Sequence, residues 1–235
     1  CYYWIKFRCC KKYYRTWHLC WNTYKKNLKM KYTEESLKLT QKISDEIENK
    51  TFHHHYHILF DIANSYDTQQ PITYVEIGCY AGGSACLMLQ RPNTKVISID
   101  LGFPISQNIV ETNVKKLNIY SNSFTYIKGN SQDLTTLSKL KTIADSIDIL
   151  FIDGDHNFNG VIKDFLMYSD LVKTDGYIIF DDYNDSKYSP QVKPAVDSLL
   201  KNITSTYEII GSIENTFNAR PGEMKEGNCF IIRKI

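Results

Sequence analysis

ITYVEIGCYAGGS, residues 72–84, is the stretch on which the reading of the whole chain turns. Its first half, ITYVEI, is short, apolar and β-branched, which is strand composition. It runs straight into Gly78 and then Gly82-Gly83-Ser84, where a helix begins. Glycines at such a junction let the backbone turn tightly and approach a ligand, and the N-terminus of the following helix offers free N–H groups to an anion. A dinucleotide fingerprint would need glycine at position 80; Tyr80 stands there, so the spacing is wrong for a pyrophosphate cradle. An acid two residues before the first glycine, Glu76, suits an amine-bearing ligand better than a phosphate.

Working outward, the same alternation repeats. KVISID (95–100), FTYIK (124–128), IDILFID (147–153) and YIIFDD (177–182) read as further strands. Between them lie helical stretches at 84–90, 106–118, 134–144 and 160–172, the second with Val110, Val114 and Leu117 on one face. That rhythm is βαβ and predicts a parallel sheet with helices on both faces. After a helix at 194–203, YEIIGSI (207–213) and NCFIIRKI (228–235) follow one another without a helix, so an antiparallel pair should close the sheet. The expected fold is α/β, a Rossmann-like, seven-stranded, mostly parallel sheet with an antiparallel C-terminal strand pair. Upstream, Thr33 with Glu34 and Glu35 marks a helix start, and Leu39, Ile43 and Ile47 give that helix an apolar face. A second helix is expected over HYHILFDIANSY (55–66). The histidines at 53, 54, 55 and 57 are too tightly clustered to share one ion from a single helix, and are read as a solvated helix start.

Of the 235 residues, 43% are hydrophobic and 23% charged, which excludes a disordered or fibrous chain. The net charge of +2 hides a split. Residues 1–29 hold eight Lys or Arg, no acid, and all three tryptophans, while the other 20 basic residues face 26 acids, a formal −6. Residues 1–29 are therefore expected to be a basic aromatic extension outside the domain, 30–70 a helical region, and 71–235 the functional domain. No apolar run is long enough to span a membrane, and the start lacks the apolar centre of a secretory signal. The widely spaced Cys79, Cys86 and Cys229 suit reduced thiols rather than a disulfide framework, and a cytoplasmic location is expected.

Two more segments carry ligand chemistry. Asp100 ends the second strand, where an acid can receive ribose hydroxyls. Gly129-Asn130-Ser131-Gln132-Asp133 follows the third, although Ser131 or Asp133 could equally cap the next helix. Taken in order, these segments resemble the class I S-adenosylmethionine-dependent methyltransferases, and among them the metal-dependent O-methyltransferases. The run 76–84 looks like the cofactor loop of catechol O-methyltransferase, and 129–133 like its adenine-contacting G-x-S-Q-D segment. The resemblance covers about 52–235. It implies S-adenosylmethionine as cofactor, with Gly78, Tyr80 and Ser84 lining the methionine end, Glu76 and Gly82 also among the cofactor-binding residues, Asp100 on the ribose, and Ser131 and Gln132 on the adenine.

The fourth strand ends Asp153-Gly-Asp155-His156 and the fifth Asp181-Asp182. Adjacent parallel strands bring these carboxylates together, where they repel unless a cation sits among them. An all-oxygen set suits Mg²⁺ or Mn²⁺, so Asp153, Asp181 and Asp182 are the expected metal ligands. Neighbouring residues on a strand face opposite ways, so Asp181 and Asp182 can share an ion only where the strand breaks into its loop. His156 replaces the lysine of the catechol branch and makes the segment similar to the D-G-x-H arrangement of O-methyltransferases acting on macrolide sugars, which implies a histidine base. The expected activity is metal-assisted O-methylation of a small hydroxylated acceptor, a sugar or glycan unit, with His156 and Asp153 catalytic. No DNA partner is expected, and a homo-oligomer is left open. Two other classes stay open: a silent cofactor-binding protein, and a nucleic-acid methyltransferase using the basic N-terminus.

Overall fold

Every apolar segment singled out above becomes a strand of one sheet. The computed structural model describes residues 34–49, 56–212 and 229–235. The strands are β1 (Ile72–Ile77), β2 (Thr94–Asp100), β3 (Phe124–Lys128), β4 (Ile147–Ile152), β5 (Val172–Phe180), β6 (Tyr207–Ser212) and β7 (Phe230–Lys234). They lie in the order β3-β2-β1-β4-β5-β7-β6. The first five are parallel, and β7 is antiparallel to both β5 and β6. The helices are α1 (Glu34–Glu46), α2 (His57–Ala63), α3 (Gly83–Met88), α4 (Gln107–Leu117), α5 (Leu134–Ile143), α6 (Phe158–Tyr168) and α7 (Val192–Ile203). The expectation for residues 1–29 lies outside the described residues.

The central strands show why the sheet must be covered on both faces. All six residues of β4 and five of six in β1 are buried, the continuous apolar run of a two-sided parallel strand. Asp148 interrupts β4 and is tolerated because it is paired: it accepts from Lys173 Nζ at 2.9 Å and from the Thr73 amide at 2.7 Å. Phe151, fully buried one residue before the end of β4, meets Tyr56 edge-on at 5.9 Å between centroids. Truncating such a side chain costs about 3–5 kcal/mol.

Register then fixes the site. Ile77 pairs with Ile152, and Ile152 with Phe180, so the C-terminal ends of β1, β4 and β5 are level. The Asp153 amide continues the ladder onto the Ile77 carbonyl at 2.9 Å, and the Asp181 amide onto Ile152 at 3.0 Å.

Two local expectations are corrected. β5 begins at Val172, five residues before the expected start, because Val172 already pairs with Ile147 and the strand continues across an irregularity, with Asp175 at φ +67°, before Tyr177 pairs with Ile149. α6 correspondingly stops at Tyr168 and gives way to a short 3₁₀ turn. His57 is not a solvated helix start: it is buried at the N-terminus of α2. His53, His54 and His55 lie outside the described residues.

Candidate active site

The first crevice opens where β1 ends. Gly78 sits at φ +81°, and a Cβ there would lie 2.0 Å from the Asp153 carbonyl oxygen. The position therefore needs glycine twice over, for its left-handed backbone and for its contact with the end of β4. Tyr80, at φ +46°, projects outward and is 42% exposed. Gly82, at φ +82°, precedes α3. Beneath this loop lies Glu76, without exposed surface. Its carboxylate accepts from Tyr74 Oη at 2.9 Å, from Ser98 Oγ at 2.6 Å and from Ser84 Oγ. Burial pushes its pKa up to about 7, the three hydroxyl bonds pulling the other way. Ser84 thus points its hydroxyl inward at Glu76, and both residues serve to fix the loop from below.

Asp100, at the end of β2, is the loop's other anchor. One oxygen accepts from the amides of Cys79 (2.9 Å) and Tyr80 (3.3 Å), and the other from the Gly102 amide (2.7 Å) and Tyr126 Oη (3.3 Å). A carboxylate offers about four acceptor positions, and these four donors fill them. At the end of β3, Ser131 Oγ donates to Asp164 Oδ1 at 2.7 Å, and Gln132 Nε2 reaches Asp155 Oδ2 at 3.3 Å. Asp133 is the residue preceding α5, but its side chain makes no capping bond.

The second half of the site lies at the ends of β4 and β5. Ligand atoms of Asp153, His156 and Asp182 fall within 4.8 Å of one another. Asp153 Oδ1 is 3.2 Å from His156 Nε2, and Asp182 Oδ2 is 3.4 Å from Nδ1 of the same ring. Asp182 adopts φ +54°, so the strand does break between the two acids, and Asp181 and Asp182 take different surroundings. Asp181 stays outside the converging group, buried, with Cys229 Sγ at 3.5 Å from Oδ1. It is near enough to act by charge. Burial foremost, and then Asp181, raises the Asp153 carboxyl well above the carboxylate range. The hydrogen bond to Asp153 raises the imidazole of His156 against the opposing effect of burial. The arrangement is a crowd of carboxylates with one imidazole among them.

Two residues of this half gave no signal in the sequence. Tyr56, from the segment before α2, is buried and donates to Asp153 Oδ2 at 3.4 Å. Ser189, in the segment between β5 and α7, touches both His156 and Asp182. A single tyrosine or serine in a chain rich in both carries no pattern; only the fold brings them in.

Known proteins agree with this architecture. A family model described as a methyltransferase domain matches residues 75–183. The uncharacterized protein R132 of Acanthamoeba polyphaga mimivirus is 40% identical over 181 residues, 74% of this chain and 81% of that protein. The solved O-methyltransferase from Bacillus cereus, in complex with S-adenosylhomocysteine (SAH), superposes with a TM-score of 0.57 at 14% identity, over 91% of this chain and 96% of that one. MycE, a methyltransferase from the mycinamycin biosynthetic pathway solved with Mg and SAH, gives a TM-score of 0.57 at 17% identity, over 85% of this chain and 54% of its own. Among the described residues, no helix is long and apolar enough to cross a membrane. The sheet order, the glycine loop on β1 and these relatives together place the chain in the class I S-adenosylmethionine-dependent methyltransferase family, and it is an enzyme of that kind.

Proposed function

We propose that the chain methylates a hydroxyl oxygen of a small acceptor, a sugar or glycan unit, with the help of a divalent cation, Mg²⁺ or Mn²⁺. The observation that carries this reading is the convergence of Asp153, His156 and Asp182 beside the β1 loop, with Asp181 behind them. The donor set fits such an ion: hard carboxylate oxygens gathered within reach of one centre, whose mutual repulsion a cation would relieve. Asp153 and Asp182 would hold it, with Asp181 contributing charge. The crystallised complex of MycE with Mg and SAH supports the same reading.

In this scheme Gly78, Tyr80, Gly82, Ser131 and Gln132 surround the cofactor, while Glu76, Ser84 and Asp100 hold its loop in shape. When bound, S-adenosylmethionine supplies an activated methyl group, and the cation a Lewis acid that makes an acceptor hydroxyl easier to deprotonate. His156 takes the acceptor's proton at Nε2. Asp153, held by Tyr56, faces that nitrogen at 3.2 Å and stabilises the imidazolium once the proton has arrived. The remaining contribution is positioning, which can account for a large part of the barrier reduction.

The test is turnover of chelator-dialysed protein with S-adenosylmethionine and a panel of hydroxylated acceptors, read as SAH formation. Activity should disappear and return with Mg²⁺ or Mn²⁺. Full turnover in excess chelator would overturn the cation.

A further inference from the structure

The segment between β5 and α7 folds back on itself. The amides of Lys187 and Tyr188 both donate to Asp185 Oδ1 at 2.9 Å, and the Ser189 amide donates to the Asp185 carbonyl at 3.2 Å. This turn returns Ser189 to the end of its own strand. Ser189 is 3% exposed, whereas its neighbour Tyr188 is 74% exposed. Its hydroxyl oxygen lies 2.6 Å from Asp182 Oδ2 and 2.8 Å from His156 Nδ1.

A hydroxyl has one proton and two acceptor lone pairs. An ionised carboxylate can only accept, so the short contact to Asp182 takes the hydroxyl proton. The other contact is then a hydrogen bond only if Nδ1 carries the hydrogen and donates to Oγ. The reverse assignment would leave two oxygens 2.6 Å apart with no hydrogen between them. A neutral imidazole has a single N–H, so placing it on Nδ1 leaves Nε2 bare. Nε2 faces Asp153 Oδ1 at 3.2 Å, at the centre of the converging group. A bare nitrogen opposite a carboxylate oxygen is unfavourable by itself and favourable once a proton arrives between them.

We propose that Ser189 is a positioning residue that sets the tautomer of His156: by bridging Asp182 and Nδ1 it leaves Nε2 as the nitrogen that receives the acceptor's proton. The proposal rests on the base role given to His156 above. Asp182 would then serve twice, in the acidic group and, through Ser189, on the imidazole. Outer partners of this kind typically change activity by about 10- to 100-fold when removed.

The test uses the full chain labelled with ¹⁵N-histidine, its His156 signals identified by their loss in His156→Ala. At a pH where the ring is neutral, the wild type should show the hydrogen on Nδ1 and a bare Nε2. Ser189→Ala should shift the ring toward the Nε2–H form and lower kcat by about 10- to 100-fold, with KM and SAH affinity little changed. Ser189→Thr, which keeps the hydroxyl, should restore both tautomer and turnover. A wild-type ring carrying its hydrogen on Nε2, or Nδ1–H retained with full kcat in Ser189→Ala, overturns the proposal. Full turnover in His156→Ala instead overturns the base role and leaves the tautomer measurement standing.

Discussion

The two halves of the site treat their carboxylates in opposite ways. At the ends of β1 and β2, Glu76 and Asp100 are surrounded by donors: three hydroxyls for the first, three amides and a phenol for the second. At the ends of β4 and β5, Asp153, Asp181 and Asp182 crowd one another, and each of the other two raises Asp153. The first half is complete within the protein and gives a loop of fixed shape. The second half gathers three carboxyls around one imidazole, and under the proposed reading a cation would relieve their repulsion. Preorganisation and crowded carboxyls sit side by side because adjacent parallel strands end level.

This contrast can be broken by mutation, and the acidic half should give the largest effects. Asp153→Ala is expected to lower kcat by about a thousandfold or more, roughly 4 kcal/mol of barrier, while SAH affinity by calorimetry stays within a few-fold. His156→Ala should cost about two to four orders of magnitude in the same assay. An equal loss of SAH binding in either variant would mean that the halves are not separable.

Gly78→Ala tests the point where they touch. Its Cβ would fall 2.0 Å from the Asp153 carbonyl oxygen at φ +81°, so denaturant titration should show a loss of about 3 kcal/mol or more. Unchanged stability would show that the two strand ends move apart freely.

Glu76 gives a pH signature. Its folded pKa is raised from 4.5 to about 7, so between those values the folded state holds a proton that the unfolded state has lost. Its contribution is fully present below pH 4.5 and fades as pH rises through 7, by about 3 kcal/mol at most. Glu76→Gln should therefore flatten the stability profile over that window relative to wild type; parallel profiles would mean that Glu76 is ionised when folded. Smallest is Asp100→Asn, which cannot accept on its amide side. It should loosen the Cys79–Tyr80 turn and weaken SAH binding about tenfold, with kcat at saturation little altered.

The fold was legible because its signals are periodic and local. Short β-branched runs alternate with helical stretches, and the strand ends announce themselves with Gly78, Asp100, Gly129, Asp153 and Asp181. The carboxylate cluster was legible for a topological reason, since parallel neighbours must finish together. Less legible was which acids converge. Asp181 and Asp182 are equivalent in sequence, and only the positive φ of Asp182 separates their surroundings. Glu76 reads as a ligand contact by its position, but its burial and its three hydroxyl partners depend on Tyr74, Ser84 and Ser98, each of which looks unremarkable alone. Lys173-Thr174-Asp175-Gly176 carries turn residues and concealed the early start of β5.

The placement of β7 has a consequence for the order in which the molecule assembles. β7 follows β6 along the chain yet lies between β6 and β5, so β6 reaches the sheet only through β7. A newly made β6 therefore has no strand to join until β7 inserts, and β7 must pair with the sequence-distant β5, as in Phe180 with Phe230, a longer closure than the Ile72–Thr94 pairing of β1 with β2. Cys229, at the threshold of β7, lies against Asp181. The acidic centre thus acquires one of its walls only with this late insertion. A chain stalled before that step would carry a formed β1 loop beside an unfinished reaction centre, so binding should precede activity during refolding.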